Sequence, residues 1–233
     1  MSRQVNEIVK RLKSLGDAKA VEGMARFGIT AETVYGVSMP RLRALAKDIG
    51  IDHARALALW RIPNRETRIL AALTADRGQV TEALMEGWVL DFDSWEVCDQ
   101  TLLNLFDRTP FARAKAVEWS LRDEEFVKRA GYVLMARLAT VDKKAEDAVF
   151  RVFLPHIRRG AGDERNFVRK AVNWALRQIG KRNLSLNRDA IAEAEAIQQL
   201  GSRAARWIAK DALSELRSEA VQARLKKKQI KTG

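Results

Sequence analysis

In the stretch Asp93-Ser94-Trp95-Glu96-Val97-Cys98-Asp99, a carboxylate follows an indole by four residues, one turn of a helix. An indole face beside a fixed negative charge is suited to holding a cation, so Trp95 and Asp99 are the first candidates for chemistry. Asp93 and Glu96 have the spacing of a capping box, which predicts a helix starting there, with Asp99 inside its second turn. Leu102, Leu103 and Phe106 continue an apolar side, and Asp99 falls at its edge, where a carboxylate needs a compensating partner. Two partners fit: an arginine of a neighbouring helix pair, giving a structural ion pair, or a cationic reaction centre. Taken alone, these residues favour the ion pair.

A second constellation lies between Arg151 and Asn183, where nine basic residues meet two acidic ones, a local charge of 9 − 2 = +7. A helix is predicted to begin near Asn166. It puts Lys170, Trp174 and Arg177 on one face, with Lys181 a turn further on. Cations interleaved with an aromatic suit DNA, since the cations replace phosphate counterions and the indole offers a plane to sugar or base. The alternative is a Trp174 buried in the core beneath charges that only solvate a surface.

The whole chain points the same way. Its 233 residues carry 42 Lys plus Arg against 30 Asp plus Glu, a net charge of +12, which favours a polyanionic partner. Nucleic acid comes first. A membrane surface comes second, but no segment combines a basic face with a bulky apolar one. Cys98 is the sole cysteine and His53 and His156 lack ligand-like spacing, so no disulfide and no metal site are expected. Residues 1–20 contain no apolar run like a signal peptide, and no stretch of about 18 apolar residues occurs, so a cytoplasmic protein is expected.

The elements that must position these residues read as helices. Pro40, Pro63, Pro110 and Pro155 each stand near an apolar-periodic stretch and are read as helix starts. Apolar residues recur three and four apart, as in Leu42, Leu45, Ala46 and Ile49, and no alternating β-branched run is present. Phe126-Val127-Lys128-Arg129-Ala130 reappears as Phe167-Val168-Arg169-Lys170-Ala171, 167 − 126 = 41 residues later, and Arg203 to Ala209 repeats the basic-then-apolar pattern. A period near 40 in an all-helical chain predicts a HEAT-like or armadillo-like solenoid, with a generic helical bundle as the alternative. One domain over residues 1–233 is expected, with 224–233 a frayed basic tail.

These motifs resemble the AlkD-type DNA alkylation-repair proteins, DNA glycosylases made of HEAT-like helical repeats. The likeness runs from Tyr35-Gly36-Val37-Ser38-Met39-Pro40-Arg41, through Asp93 to Asp99, to the Phe167–Asn183 stretch and the helix around Trp207. It implies a concave basic cleft in which Asp99 is the catalytic aspartate, Trp95 and Trp174 line the lesion site, and Arg129 is the active-site arginine. Ser38, Arg41, Lys170, Arg177, Lys181, Arg182 and Arg206 would face DNA. Ser38 stands where the best-known members carry a glutamine that approaches the DNA.

The implied reaction is hydrolysis of the N-glycosidic bond of purines alkylated at N3 or N7, in base excision repair. Such a base is already cationic, so its departure needs little general acid. What helps is negative charge near the oxocarbenium-like sugar and a positioned water, both of which Asp99 can supply. Arg129 would hold a flanking phosphate and keep Asp99 ionised. The resemblance further implies a grip on the DNA backbone rather than a tight pocket around a flipped base. No lysine adjoins Asp99, so a monofunctional enzyme is expected. A monomer acting on double-stranded DNA is expected, with no cofactor, metal or membrane.

Two other classes stay open. Some relatives keep the solenoid without the catalytic residues and bind DNA structures without cutting them, although this chain retains the Trp/Asp/Arg/Trp set. Many HEAT solenoids are protein-interaction scaffolds, for which the partner here would have to be strongly acidic.

Overall fold

Short polar residues punctuate the chain and start its helices. The side chains of Asp17, Asp52, Asn64, Thr81, Ser94, Asn183 and Ser202 each accept a hydrogen bond from a backbone N–H of the helix that follows. The computed structural model describes residues 3–29 and 34–232. Among them all regular structure is helical, with no strand. Contacts gather into two units, Met1–Thr109 and Pro110–Gly233.

The first unit holds α1 (Arg3–Ser14), α2 (Ala18–Ala25), α3 (Met39–Ile49), α4 (His53–Trp60), α5 (Arg65–Thr74), α6 (Glu82–Leu90) and α7 (Trp95–Asn104). Here α3, α5 and α7 pack in succession, while α4 packs on α5 and α1. Helices α5 and α7 start 95 − 65 = 30 residues apart, shorter than the period of about 40 expected. Helix α4 is joined to α6 by Trp60 on Trp88, stacked at 3.9 Å, and by the Trp60 indole N–H donating to Asp91 at 2.7 Å.

A buried polar network joins the helices of this unit. The Arg65 guanidinium donates from Nε and Nη2 to the two Glu96 oxygens at 2.7 and 2.6 Å. From Nη1 it donates to Glu66 at 2.8 Å and to the Val37 carbonyl at 2.9 Å. Glu66, fully buried, accepts in turn from the backbone N–H groups of Tyr35, Gly36 and Val37 at 2.9, 3.0 and 3.1 Å. Burial works to lower the Arg65 pKa, but its bonds to Glu96 and the nearby charges of Glu96 and Glu66 raise it above the ordinary value. The chain entering α3 can follow this path because Gly36 takes φ 81°; a Cβ there would meet the Asp17 carbonyl oxygen at 2.2 Å.

The second unit holds α8 (Ala112–Ser120), α9 (Glu125–Val141), α10 (Asp147–Gly160), α11 (Asn166–Gly180), α12 (Leu184–Gln198), α13 (Arg203–Leu216) and α14 (Glu219–Thr232). It is two-layered: α9, α11 and α13 pack in succession, backed by α8, α10, α12 and α14. The expected period appears here, since α9 and α11 start 166 − 125 = 41 residues apart, with Phe126 and Phe167 in contact at 5.6 Å. Gly131 lets α8 and α9 touch along their backbones, for a Cβ there would stand 2.4 Å from the Ser120 nitrogen.

One expectation about helix starts needs correction. Pro40 lies in the first turn of α3, and Pro63 and Pro110 lie two residues before α5 and α8, but Pro155 is inside α10. It is tolerated because it is exposed, where water can take up the bond its missing N–H leaves open. Helix α14 runs to Thr232, with Val221 and Leu225 buried.

Replacing Arg65→Met leaves the Glu66 and Glu96 carboxylates buried without their cation and should cost about 3–5 kcal/mol in urea denaturation. Adding Glu96→Met should recover part of the loss, and an unaffected Arg65→Met protein would contradict the role given to the network. Gly131→Ala should destabilise by about 1–3 kcal/mol, since the clash outweighs the better helix propensity of alanine, and a higher melting temperature would show that α8 and α9 do not touch as described.

Candidate nucleic-acid interface

Helix α7 begins one residue later than the capping box predicts. Ser94 is the N-cap and accepts from the Val97 N–H at 3.4 Å. The predicted box does not form, because Glu96 turns to Arg65 in a bidentate, charge-assisted pair and Asp93 pairs with Arg68 at 2.8 Å. Asp99 still lies in the second turn. Buried Glu96, Val97, Cys98, Thr101 and Leu102 leave Trp95, Asp99 and Leu103, all half-buried, along the remaining side of the helix. The indole and the carboxylate therefore do share a face.

The Trp95 orientation is fixed by its N–H, which donates to the Phe27 carbonyl at 3.0 Å, just after α2. Phe27 itself is 67% exposed, so an aromatic ring stands open beside the tryptophan's anchor. Ser38 is the exposed N-cap residue of α3 and makes no side-chain cap bond. Arg41, on the first turn of the same helix, donates to the Leu15 carbonyl at 3.2 Å.

The second unit carries the remaining candidates on α9, α11 and α13. Arg129 is buried on α9 and donates to the Phe167 carbonyl at 2.7 Å, which bridges to the first turn of α11. The adjacent Lys128 faces Asp123 and Asp163 instead, at 3.8 and 3.6 Å. On α11 the buried residues leave Lys170 exposed and Trp174 and Arg177 half-buried on one side, the face that the spacing predicted.

Several of these cations already have partners inside the protein. Arg177 pairs with Asp211 and Glu215 at 3.2 and 3.0 Å, and Lys181 pairs with Glu215 at 2.8 Å, so α13 neutralises part of the α11 charge. Arg182 donates to the Ala139 and Ala145 carbonyls at 3.2 and 2.8 Å and lies over the Phe150 ring at 4.2 Å. Arg206 donates to the Gly201 carbonyl. Trp207 is partly exposed beneath the Arg169 guanidinium, 5.2 Å from its ring centre. Trp95 and Asp99 thus come together in the first unit, while Arg129 and Trp174 belong to the second.

Among the described residues no three His, Cys, Asp or Glu side chains cluster to hold a metal ion. No described helix is long and apolar enough to cross a membrane.

Comparison with known proteins places the chain. In the solved structures, the fold is similar to a protein described as belonging to a new family related to the HEAT-like repeat DNA glycosylases with affinity for branched DNA structures. The TM-score is 0.76 at 18% identity, over 94% of this chain and 95% of that one, so the likeness is one of fold. No curated protein matches the sequence. The sequence pattern of the family described as DNA alkylation repair enzyme matches residues 8–216. The chain therefore belongs to the DNA alkylation repair enzyme family and has an all-helical, HEAT-like repeat fold.

Proposed function

We propose that this protein is a monofunctional DNA glycosylase that hydrolyses the N-glycosidic bond of cationic N3- or N7-alkylated purines in double-stranded DNA, a step of base excision repair. The observation that carries this reading is the Trp95/Asp99 pair on one half-buried face of α7, in a chain of the DNA alkylation repair family.

The chemistry follows from charge. The bond between C1′ and the alkylated base breaks with both electrons leaving on the base, which neutralises it, while positive charge develops on the sugar. The Asp99 carboxylate stabilises that charge and takes a proton from the water that attacks C1′. Trp95 presents its electron-rich face and excludes bulk water, and Trp174 offers an indole face of its own to DNA. Arg129 acts as a positioning residue: buried, it donates to the Phe167 carbonyl at 2.7 Å and holds the start of α11, which carries Lys170, against α9. Ser38, Arg41, Lys170 and Arg206 contact the backbone, assisted by Arg177, Lys181 and Arg182. The protein acts as a cytoplasmic monomer without a cofactor.

A second reading is a HEAT-like protein that binds branched or distorted DNA without catalysis. It is favoured by the fold similarity to a protein described as having that affinity.

Duplex DNA containing 7-methylguanine separates the two. The wild-type protein should release free base above the spontaneous rate. Asp99→Asn should lower the single-turnover rate by about 10²–10³-fold while leaving DNA binding intact. Equal release by both proteins, or none by a wild type that binds the duplex, would favour the second reading. Affinity for the duplex should also fall steeply with salt, and a flat response would argue for an acidic protein partner instead.

A further inference from the structure

Six cations line one cavity of the second unit, of about 740 Å³. Lys143 comes from the segment after α9, Lys181 and Arg182 from the end of α11, Arg188 from α12, and Arg224 and Lys228 from α14. Against them stands one acid, Asp147, which already accepts from the Asn183 amide at 2.7 Å and faces Arg151 at 3.9 Å.

Lys181 is paired with Glu215, and Arg182 is tied to two carbonyls. Lys143, Arg188 and Arg224 carry no side-chain hydrogen bond or ion pair among the described residues. The Lys228 amine lies 3.5 Å from the Arg182 carbonyl, and burial, then the charges of Arg224, Lys143 and Arg182, push its pKa below the ordinary lysine value. Helix α12 also begins at this cavity, adding the positive end of its dipole. Like charges gathered around a hollow repel one another unless an anion enters.

We propose that this cavity binds a chain of phosphate groups. Its cations come from four separate segments around a hollow of about 740 Å³, more room than one small anion fills and enough for linked phosphates. The guanidinium groups of Arg188 and Arg224 suit bidentate contact, and the lysines act as point charges. Such a chain has two sources, a nucleic-acid backbone or a free oligophosphate, and only the first rests on the DNA reading above.

The test uses the full chain with two probes, inorganic tripolyphosphate by calorimetry and a short DNA duplex by fluorescence anisotropy. Two double variants each remove two charges: Lys143→Gln/Arg224→Gln inside the cavity, and Lys226→Gln/Lys227→Gln on exposed positions of α14 that do not line it. Tripolyphosphate should bind the wild type and the α14 control alike and bind the cavity variant about ten-fold more weakly or worse. If the backbone is the natural source, duplex affinity falls in the cavity variant too, and its salt slope drops by about two. If duplex binding is unchanged while tripolyphosphate binding is lost, the source is a free oligophosphate. Failure of the wild type to bind tripolyphosphate, or equal weakening by both double variants, would overturn the proposal. Should the cavity variant unfold, Arg188→Gln gives the same reading. The tripolyphosphate result does not depend on base release, so this proposal and the glycosylase reading can fail separately.

Discussion

The Arg65 guanidinium sits between two buried carboxylates, and the arrangement of the first unit follows from that fact. Glu96 takes the bidentate side of the cation, which fixes the first turn of α7. Glu66 accepts from Nη1, which also donates to the Val37 carbonyl, and uses its other lone pairs on three amides at the entrance to α3. Removing any member would leave a charge in a medium that solvates it poorly, so the set stands or falls together. Trp95 and Asp99 gain their direction from it. With Glu96 held inward at the second helical position, α7 cannot turn about its axis, and Trp95 and Asp99 are left together on its half-buried side.

The second unit uses similar braces between successive helices of one layer. Arg129 reaches from α9 to α11. Asn173, Arg177 and Lys181 reach from α11 to acids on α13, and Glu164 accepts from the Ala204 N–H at the start of α13. These bonds stiffen the stack and consume cations. The 42 Lys and Arg side chains therefore overstate the number free to meet a partner, and the uncommitted ones include Lys170 and the Lys143 and Arg224 of the cavity.

Local features were legible in the sequence, and contacts between distant segments were not. The all-helical class, the 41-residue spacing of α9 and α11, the shared face of Trp95 and Asp99 and the Lys170/Trp174/Arg177 face all depend on periodicity within a few turns. The start of α7 was misread because Asp93-Ser94 offers two adjacent caps, and the choice was made by Arg65 and Arg68, residues of another helix. The pairing of Lys181 with Glu215 spans 34 residues, and the cavity gathers residues from 139 to 229, so neither has a local signature. The Tyr35-Gly36-Val37 motif carries the family likeness in sequence, whereas its physical reason, an amide cradle for Glu66, exists only in the fold. One signal for that network was present in Asn64-Arg65-Glu66-Thr67, where an Asn cap precedes a charged pair and then the apolar run from Ile69 to Ala72.

The central claim is that the Asp99 carboxylate answers a positive charge on the substrate rather than the shape of a base. The most direct measurement compares single-turnover release by the wild-type protein from two duplexes of the same sequence, one carrying cationic 7-methylguanine and the other neutral hypoxanthine. The account predicts release of 7-methylguanine and no release of hypoxanthine above the spontaneous rate. Comparable release of both bases, or of hypoxanthine alone, would contradict it.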